Sequence, residues 1–214
     1  MEIIKCKDAT KCAECSVPKH DLEHVLSMLR FGRLVVYPTE TLYGLGADPF
    51  DETAVKKVYI AKRRPFDMPL SIAVHDISMA ETMAELDENA YRLAKAFLPG
   101  PLTLLLRKKP VLPDIITASL PEVGIRMPDH PFALRILEEF GPIISTSANV
   151  HSHPNPTNVE MAMADLGNSV ATYVDCGPCK VGMPSTIVQI IDGTVEIIRY
   201  GVIPKEKIEN VLVG

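Results

Sequence analysis

The sequence contains no tryptophan, and aromatic residues make up only 6% of it, so a large stacking platform for bases or rings is missing. No uninterrupted apolar run approaches the roughly 18 residues that a membrane-spanning helix needs. The N-terminal stretch MEIIKCKDATKCAEC does not have the basic-then-apolar layout of a secretory signal. These absences read as a soluble, cytoplasmic protein with no membrane partner. An excess of positive charge is also lacking. Twenty-two basic residues stand against 27 acidic ones, for a net charge of −5, which argues against a protein coated in cations but leaves a local basic cleft open. The five cysteines are an odd number, which speaks against a disulfide framework. Several catalytic signatures are missing too: no G-x-x-x-x-G-K-[ST] phosphate loop, no G-x-G-x-x-G opening a helix, no G-x-S-x-G elbow and no H-E-x-x-H.

What is present suits one globular domain over residues 1–214, with 47% apolar residues and no internal repeat. Leu22, Val25, Leu26 and Leu29 recur at helical spacing, with Gly32 closing the helix. Residues 33–37 (RLVVY) follow as a strand. Asp51 is placed to cap a second helix with Val55, Val58 and Tyr59 on its inner face, ending before Pro65. Strands are expected at 70–74, 102–106, 123–127 and 143–146, and helices at 76–84, 89–98 and 130–140. Residues 186–191 and 195–198 flank Asp192-Gly193, the strongest hairpin signal in the chain. Alternating strands and helices with one antiparallel hairpin predict an α/β fold: a twisted, open, mixed sheet with helices packed on it.

Five segments carry polar groups where strands end or where burial would be costly. Residues 37–46 (YPTETLYGLG) leave a strand's carboxyl end, where open sheets bind ligands. Thr39 and Thr41 there read either as local turn makers or as ligand hydroxyls. Lys62-Arg63-Arg64 end a helix, and three adjacent cations exceed what the helix dipole needs, which suggests a phosphate. Ser145-Thr146-Ser147-Ala148-Asn149 crowd hydroxyls and an amide at another strand's exit. Arg126 lies within a short apolar strand and needs either an internal or a ligand carboxylate. Ser185 and Arg199 sit at the two ends of the hairpin.

Taken together and in order, YPTETLYGLG, Lys62-Arg63-Arg64 with Pro69-Leu70, PGPLT (99–103), GIRMPDHP (124–131), Ser147-Ala148-Asn149 and Ser185-Thr186-Ile187 resemble the threonylcarbamoyl-adenylate synthases, the YrdC family. The resemblance covers about residues 20–203, the expected core. It implies a concave basic cleft binding ATP, with Mg2+, and L-threonine. The implied reaction joins threonine, bicarbonate or CO2 and ATP into threonylcarbamoyl-AMP and pyrophosphate. A downstream transferase complex then moves the threonylcarbamoyl group onto adenosine in tRNA. By motif matching, Lys62, Arg64, Ser147 and Asn149 are the catalytic set, and Thr41, Arg126, Ser145 and Ser185 surround threonine. Arg64, Ser147, Asn155 and Arg199 line the nucleotide. The chain departs from many relatives at Met68, Ala73 and the Val150-His151-Ser152 stretch. Larger relatives carry a further C-terminal domain, for which 214 residues are too few.

Two C-x-x-C pairs, Cys12/Cys15 and Cys176/Cys179, invite a four-thiolate zinc site, but the two pairs would have to meet in space, and the reading adopted has no resident metal. The Cys176-Gly-Pro-Cys179 pair also copies a redox motif, yet it follows a strand instead of opening a helix. His151 and His153 are expected to face solvent, His130 to stand at a helix start, and Glu81, Glu85, Asp87 and Glu88 to form a solvated face. The competing functional reading is a non-catalytic module that binds double-stranded RNA or tRNA through the same basic cleft.

Overall fold

The structure, a computed structural model, describes residues 1–6, 18–191 and 194–213. A ten-stranded mixed sheet forms its backbone. In chain order the strands are β1 (Glu2–Lys5), β2 (Val35–Tyr37), β3 (Gly44–Gly46), β4 (Ser71–Ala73), β5 (Leu102–Arg107), β6 (Glu122–Arg126), β7 (Ile143–Ser147), β8 (Thr172–Asp175), β9 (Thr186–Ile191) and β10 (Thr194–Arg199). Their spatial order is β1-β8-β2-β3-β7-β4-β6-β5-β9-β10. The helices are α1 (Lys19–Arg30), α2 (Glu52–Lys62), α3 (Ile77–Met83), α4 (Glu88–Phe97), α5 (Asp114–Thr117), α6 (Pro131–Phe140), α7 (Val159–Leu166) and α8 (Lys205–Val213).

Local signals explain the helix ends. Asp51 accepts from the Thr53 and Ala54 amides at the start of α2, and Asp76, Asp87 and Asn158 cap α3, α4 and α7 in the same way. Each side-chain oxygen satisfies an amide that has no partner within the helix. Leu22, Val25, Leu26 and Leu29 form the buried face of α1, and Gly32 turns the chain at φ +60°. Glu81, Glu85, Asp87 and Glu88 are exposed, as expected.

The strand pairing is more antiparallel than the sequence suggested. Among the described residues five ladders are antiparallel (β2–β3, β3–β7, β4–β7, β5–β6 and β9–β10) and four are parallel. The first departure lies in the segment read as a turn, because Gly44–Gly46 is a strand between β2 and β7. Its glycines make room for a ring: a Cβ on Gly44 would stand 2.8 Å from Tyr37 Cζ, and one on Gly46 would stand 3.1 Å from Tyr37 Cε1. Periodicity could not find a strand whose side-chain positions are vacated for a neighbour. The Asp192-Gly193 turn lies outside the described residues, but the β9–β10 hairpin it was read from is present.

The two faces of the sheet differ. On one, Val36, Leu45, Ile144, Ile72, Ile125, Leu104 and Val188 build a continuous core under α2, α4, α7 and their neighbours. On the other, Val35, Tyr37, Ile143 and Ala73 are covered by α1 and α6. Beyond that cover the same face turns polar, and the site lies there. Strand alternation explains the split, since side chains two residues apart share a face.

His130 stands at the start of α6, buried, with Nδ1 accepting from the Phe132 amide. Burial lowers its pKa from 6.5 to about 4. Between those values the unfolded chain binds a proton that the folded one refuses, so this contribution is complete above pH 6.5 and is lost as pH falls toward 4. The full difference amounts to about 3 kcal/mol. In His130→Asn, which keeps a capping oxygen but cannot titrate, chemical denaturation should show a flatter loss of stability across that acid window.

Candidate active site

Six neighbouring strands, β3, β7, β4, β6, β5 and β9, present one polar surface. The register sets Ser145, Ser71 and Gly124 side by side in one row. Arg126 and Thr103 pair two residues further along β6 and β5, and Ser147 pairs with Gly44. A cavity of about 170 Å³ opens over this surface, lined among others by Thr39, Arg64, Ser71, Thr103, Arg126, Ser145, Ser147, Asn155, Ser185 and Arg199. Among the described residues no carboxylate lines it.

Seven residues chosen from the sequence therefore meet here: Arg64, Arg126, Ser145, Ser147, Asn155, Ser185 and Arg199. Three others stand behind the wall. Lys62, 1% exposed, turns Nζ to the carbonyl oxygens of Ser147 and Asn149 and to Asn149 Oδ1. The contact with Asn149 O is 2.8 Å and that with Oδ1 is 3.2 Å. The run Lys62-Arg63-Arg64 predicts a phosphate partner for this ammonium. Here it holds the turn that follows β7. Asn149 accepts from Ser147 Oγ at 2.6 Å and donates to His153 O and Pro154 O. Thr41 is fully buried and bonds Thr39 Oγ1 and Arg126 Nη2.

Arg126 finds an internal carboxylate, Glu40 Oε1, at 3.0 Å from Nη2. Glu40 Oε2 accepts from the Asp129 amide at 3.1 Å. Nη2 also reaches Thr39 and Thr41, whereas the buried Nε–H has no partner. A buried donor without an acceptor is costly, so this guanidinium is built for one more acceptor. Arg64 follows Arg63, whose left-handed φ of 49° ends α2 and turns the chain. Its guanidinium is fixed by Met68 O and Pro69 O, and Nη1 lies 3.5 Å from His151 Nδ1. Arg199 donates to Ser185 O and Oγ, and Ser185 Oγ contacts Thr103 Oγ1 at 2.8 Å.

Burial, then the charges of Arg126 and Arg64, push the pKa of Arg199 below its usual value. Three guanidiniums thus face one cavity, and the buried Glu40 balances one of them. Lys62, buried and near Arg64, is lowered to about 7. This surface suits oxyanions, with serine and threonine hydroxyls for orientation. The sequence reading left Glu40, Ser71 and Thr103 out of the site. The Thr39-Glu40-Thr41 triplet was visible, but its pairing with Arg126 is a contact between segments 86 residues apart.

Among the histidines, His153 is exposed, as expected, with Nδ1 3.0 Å from Asp165 Oδ1, whereas His151 is half-buried beside Arg64. Cys6 and Cys176 form a disulfide joining the end of β1 to the turn after β8. The odd cysteine count speaks against a disulfide framework and gives no hint of this single cross-link, which commits Cys176 to a partner outside the four-thiolate set. Cys12 and Cys15 lie outside the described residues. Among the described residues no three His, Cys, Asp or Glu side chains gather to hold a metal, and no helix is long and apolar enough to cross a membrane.

A family model described as Telomere recombination (Sua5_yciO_yrdC) matches residues 27–201. A threonylcarbamoyl-AMP synthase of Pyrococcus abyssi is 41% identical over 186 residues, 86% of this chain and 55% of the relative. One of Bacillus subtilis is 43% identical over 202 residues, 93% of this chain and 58% of the relative. The crystal structure of P. abyssi Sua5 complexed with L-threonine superposes with a TM-score of 0.92 at 37% identity, covering 99% of this chain and 61% of that one. The chain therefore spans less than two thirds of the length of these relatives.

Proposed function

The chain belongs to the Sua5/YciO/YrdC family, and from that premise we propose that it is a threonylcarbamoyl-AMP synthase. It takes L-threonine, bicarbonate or CO2, and ATP to threonylcarbamoyl-AMP and pyrophosphate. The product serves threonylcarbamoyladenosine formation in tRNA, completed in the cytoplasm by a transferase complex. The observation that carries this reading is the cavity with three guanidiniums, one of which keeps a buried, unpartnered N–H. Such a site asks for a carboxylate and a polyphosphate together.

In the proposed mechanism the threonine carboxylate docks on Arg126, whose guanidinium Thr41 braces from behind the wall, with Ser145 and Ser185 around the amino acid. The neutral amine attacks CO2, a C–N bond forms, and the amine proton leaves to solvent. An oxygen of the resulting carbamate attacks the α-phosphorus of ATP. The bond from that phosphorus to the bridging oxygen breaks, and pyrophosphate departs. Arg64, Ser147, Asn155 and Arg199 hold the nucleotide, and Lys62 and Asn149 fix the turn that presents Ser147. Enclosure by the cavity shields the short-lived carbamate from water, and guanidiniums set in advance stabilise charge gathering on the phosphates. Mg2+ would enter with the nucleotide substrate and supply positive charge to the phosphates, since among the described residues the lining offers no carboxylate to hold it.

Incubation with radiolabelled bicarbonate, ATP and threonine is expected to place label in an adenylate and to release pyrophosphate only when all three are present. Pyrophosphate release that ignores threonine or bicarbonate would overturn the reading. RNA binding with a steep salt dependence and no pyrophosphate release would favour the non-catalytic module instead.

A further inference from the structure

Among the described residues, the polar face of the cavity holds one hydroxyl without a hydrogen-bond partner in the protein. Thr39, Thr103, Ser145, Ser147 and Ser185 all line the cavity, and each side-chain oxygen has a hydrogen-bond partner in the protein. Ser71 also lines it, half-buried on the central strand β4, and its Oγ has none. Thr146 has none either, but strand alternation sends its side chain to the opposite face of β7 from Ser145 and Ser147.

The space around Ser71 is specifically cleared. Ser71 pairs with Gly124 on one side and Ser145 on the other. A Cβ on Gly124 would stand 2.5 Å from Ser71 Oγ and 3.2 Å from Thr103 Cγ2. Any larger residue at 124 would displace the hydroxyl, so Gly124 keeps Ser71 Oγ lying across β6. Arg126 is two residues further along the same strand and on the same face, roughly 7 Å away by strand rise. An α-amino acid whose carboxylate sits on Arg126 has its β-carbon within reach of the Ser71 row.

Resting on the functional reading above, we propose that Ser71, kept in place by Gly124, reads the β-hydroxyl of threonine and thereby sets the preference for threonine over amino acids of the same shape without that hydroxyl. The logic is asymmetric. A site that hydrogen-bonds a substrate hydroxyl rejects the methyl isostere, because its own polar group is left unpaired.

The test is binding of L-threonine and of L-valine to the intact protein by calorimetry, in wild type, Ser71→Ala and Ser71→Cys. Wild type should prefer threonine over valine strongly. In Ser71→Ala the threonine affinity should fall roughly 10-fold while valine binding holds or improves, so that the preference shrinks by at least that factor. Ser71→Cys, close in size with a weak donor, should fall between. The melting temperature should barely move, since no intramolecular bond is lost. An unchanged preference in both variants overturns the assignment, and so does an equal loss for both amino acids, which would mark a steric role. If wild type binds no threonine at all, the functional reading itself fails and takes this inference with it.

Discussion

Replacing Lys62 by methionine is expected to cut turnover by at least about 100-fold and to lower the melting temperature on the order of 10 °C. The chain of causes begins with its three acceptors. Ser147 O, Asn149 O and Asn149 Oδ1 converge on one buried ammonium, whose three protons match them in number. Methionine fills the volume but leaves Asn149 O without a donor and takes one of two donors from Ser147 O and from Asn149 Oδ1. The turn after β7 then loses its anchor, and with it the positions of Ser147 Oγ and Asn149. Lys62→Arg should not rescue, because a planar fork cannot replace a compact tripod.

The same lysine gives a pH signature. Its folded pKa of about 7 lies below the ordinary 10.5, first because burial disfavours the charged form and second because Arg64 is near. Between those two values the unfolded chain carries a proton that the folded chain lacks, so folding stability rises with pH across that window. Below about pH 7 the cost of the buried charge is borne in full. Denaturation of Lys62→Met from pH 7 to 10 should lose this upward slope, and a slope equal to wild type would place the titration elsewhere.

Arg126 gives the second large effect. Arg126→Met should abolish threonine binding and also destabilise the fold by about 3–5 kcal/mol, because Glu40 becomes a buried charge without a counter-ion. The two losses are separable. Adding Glu40→Gln to Arg126→Met removes the stranded charge and should recover more than half of the stability, while threonine affinity stays at least about 100-fold down. Recovery of both would show that Arg126 serves the fold alone. Recovery of neither would mean that the Glu40 pairing is not the source of the instability.

Some of these residues are legible in the sequence and others are not. Arg126 announced itself because a guanidinium in an apolar strand must have a partner, and Asp51 and His130 were legible as helix starts because capping is local. Ser145, Ser147, Ser185 and Arg199 stand out in the sequence as polar residues near strand ends, and they line one cavity in the fold. Glu40 was passed over, since its role exists only once β2's exit and β6 are neighbours. Lys62 looked like a phosphate ligand because a run of cations shows charge but not direction. Its true contacts are backbone carbonyls 85 and 87 residues away, which no spacing rule encodes. Gly44–Gly46 gave no strand signal because its side chains were removed to admit Tyr37. Nor did any local pattern pair β1 with β8 or Cys6 with Cys176.

Whether one cavity holds both substrates is decided by a crystal structure of this chain with L-threonine and a non-hydrolysable ATP analogue bound together. The threonine carboxylate should lie on the Arg126 guanidinium and the triphosphate between Arg64 and Arg199, with the amino group turned toward the α-phosphate in the same cavity. Two ligands in separate pockets, or threonine held away from Arg126, would contradict this arrangement.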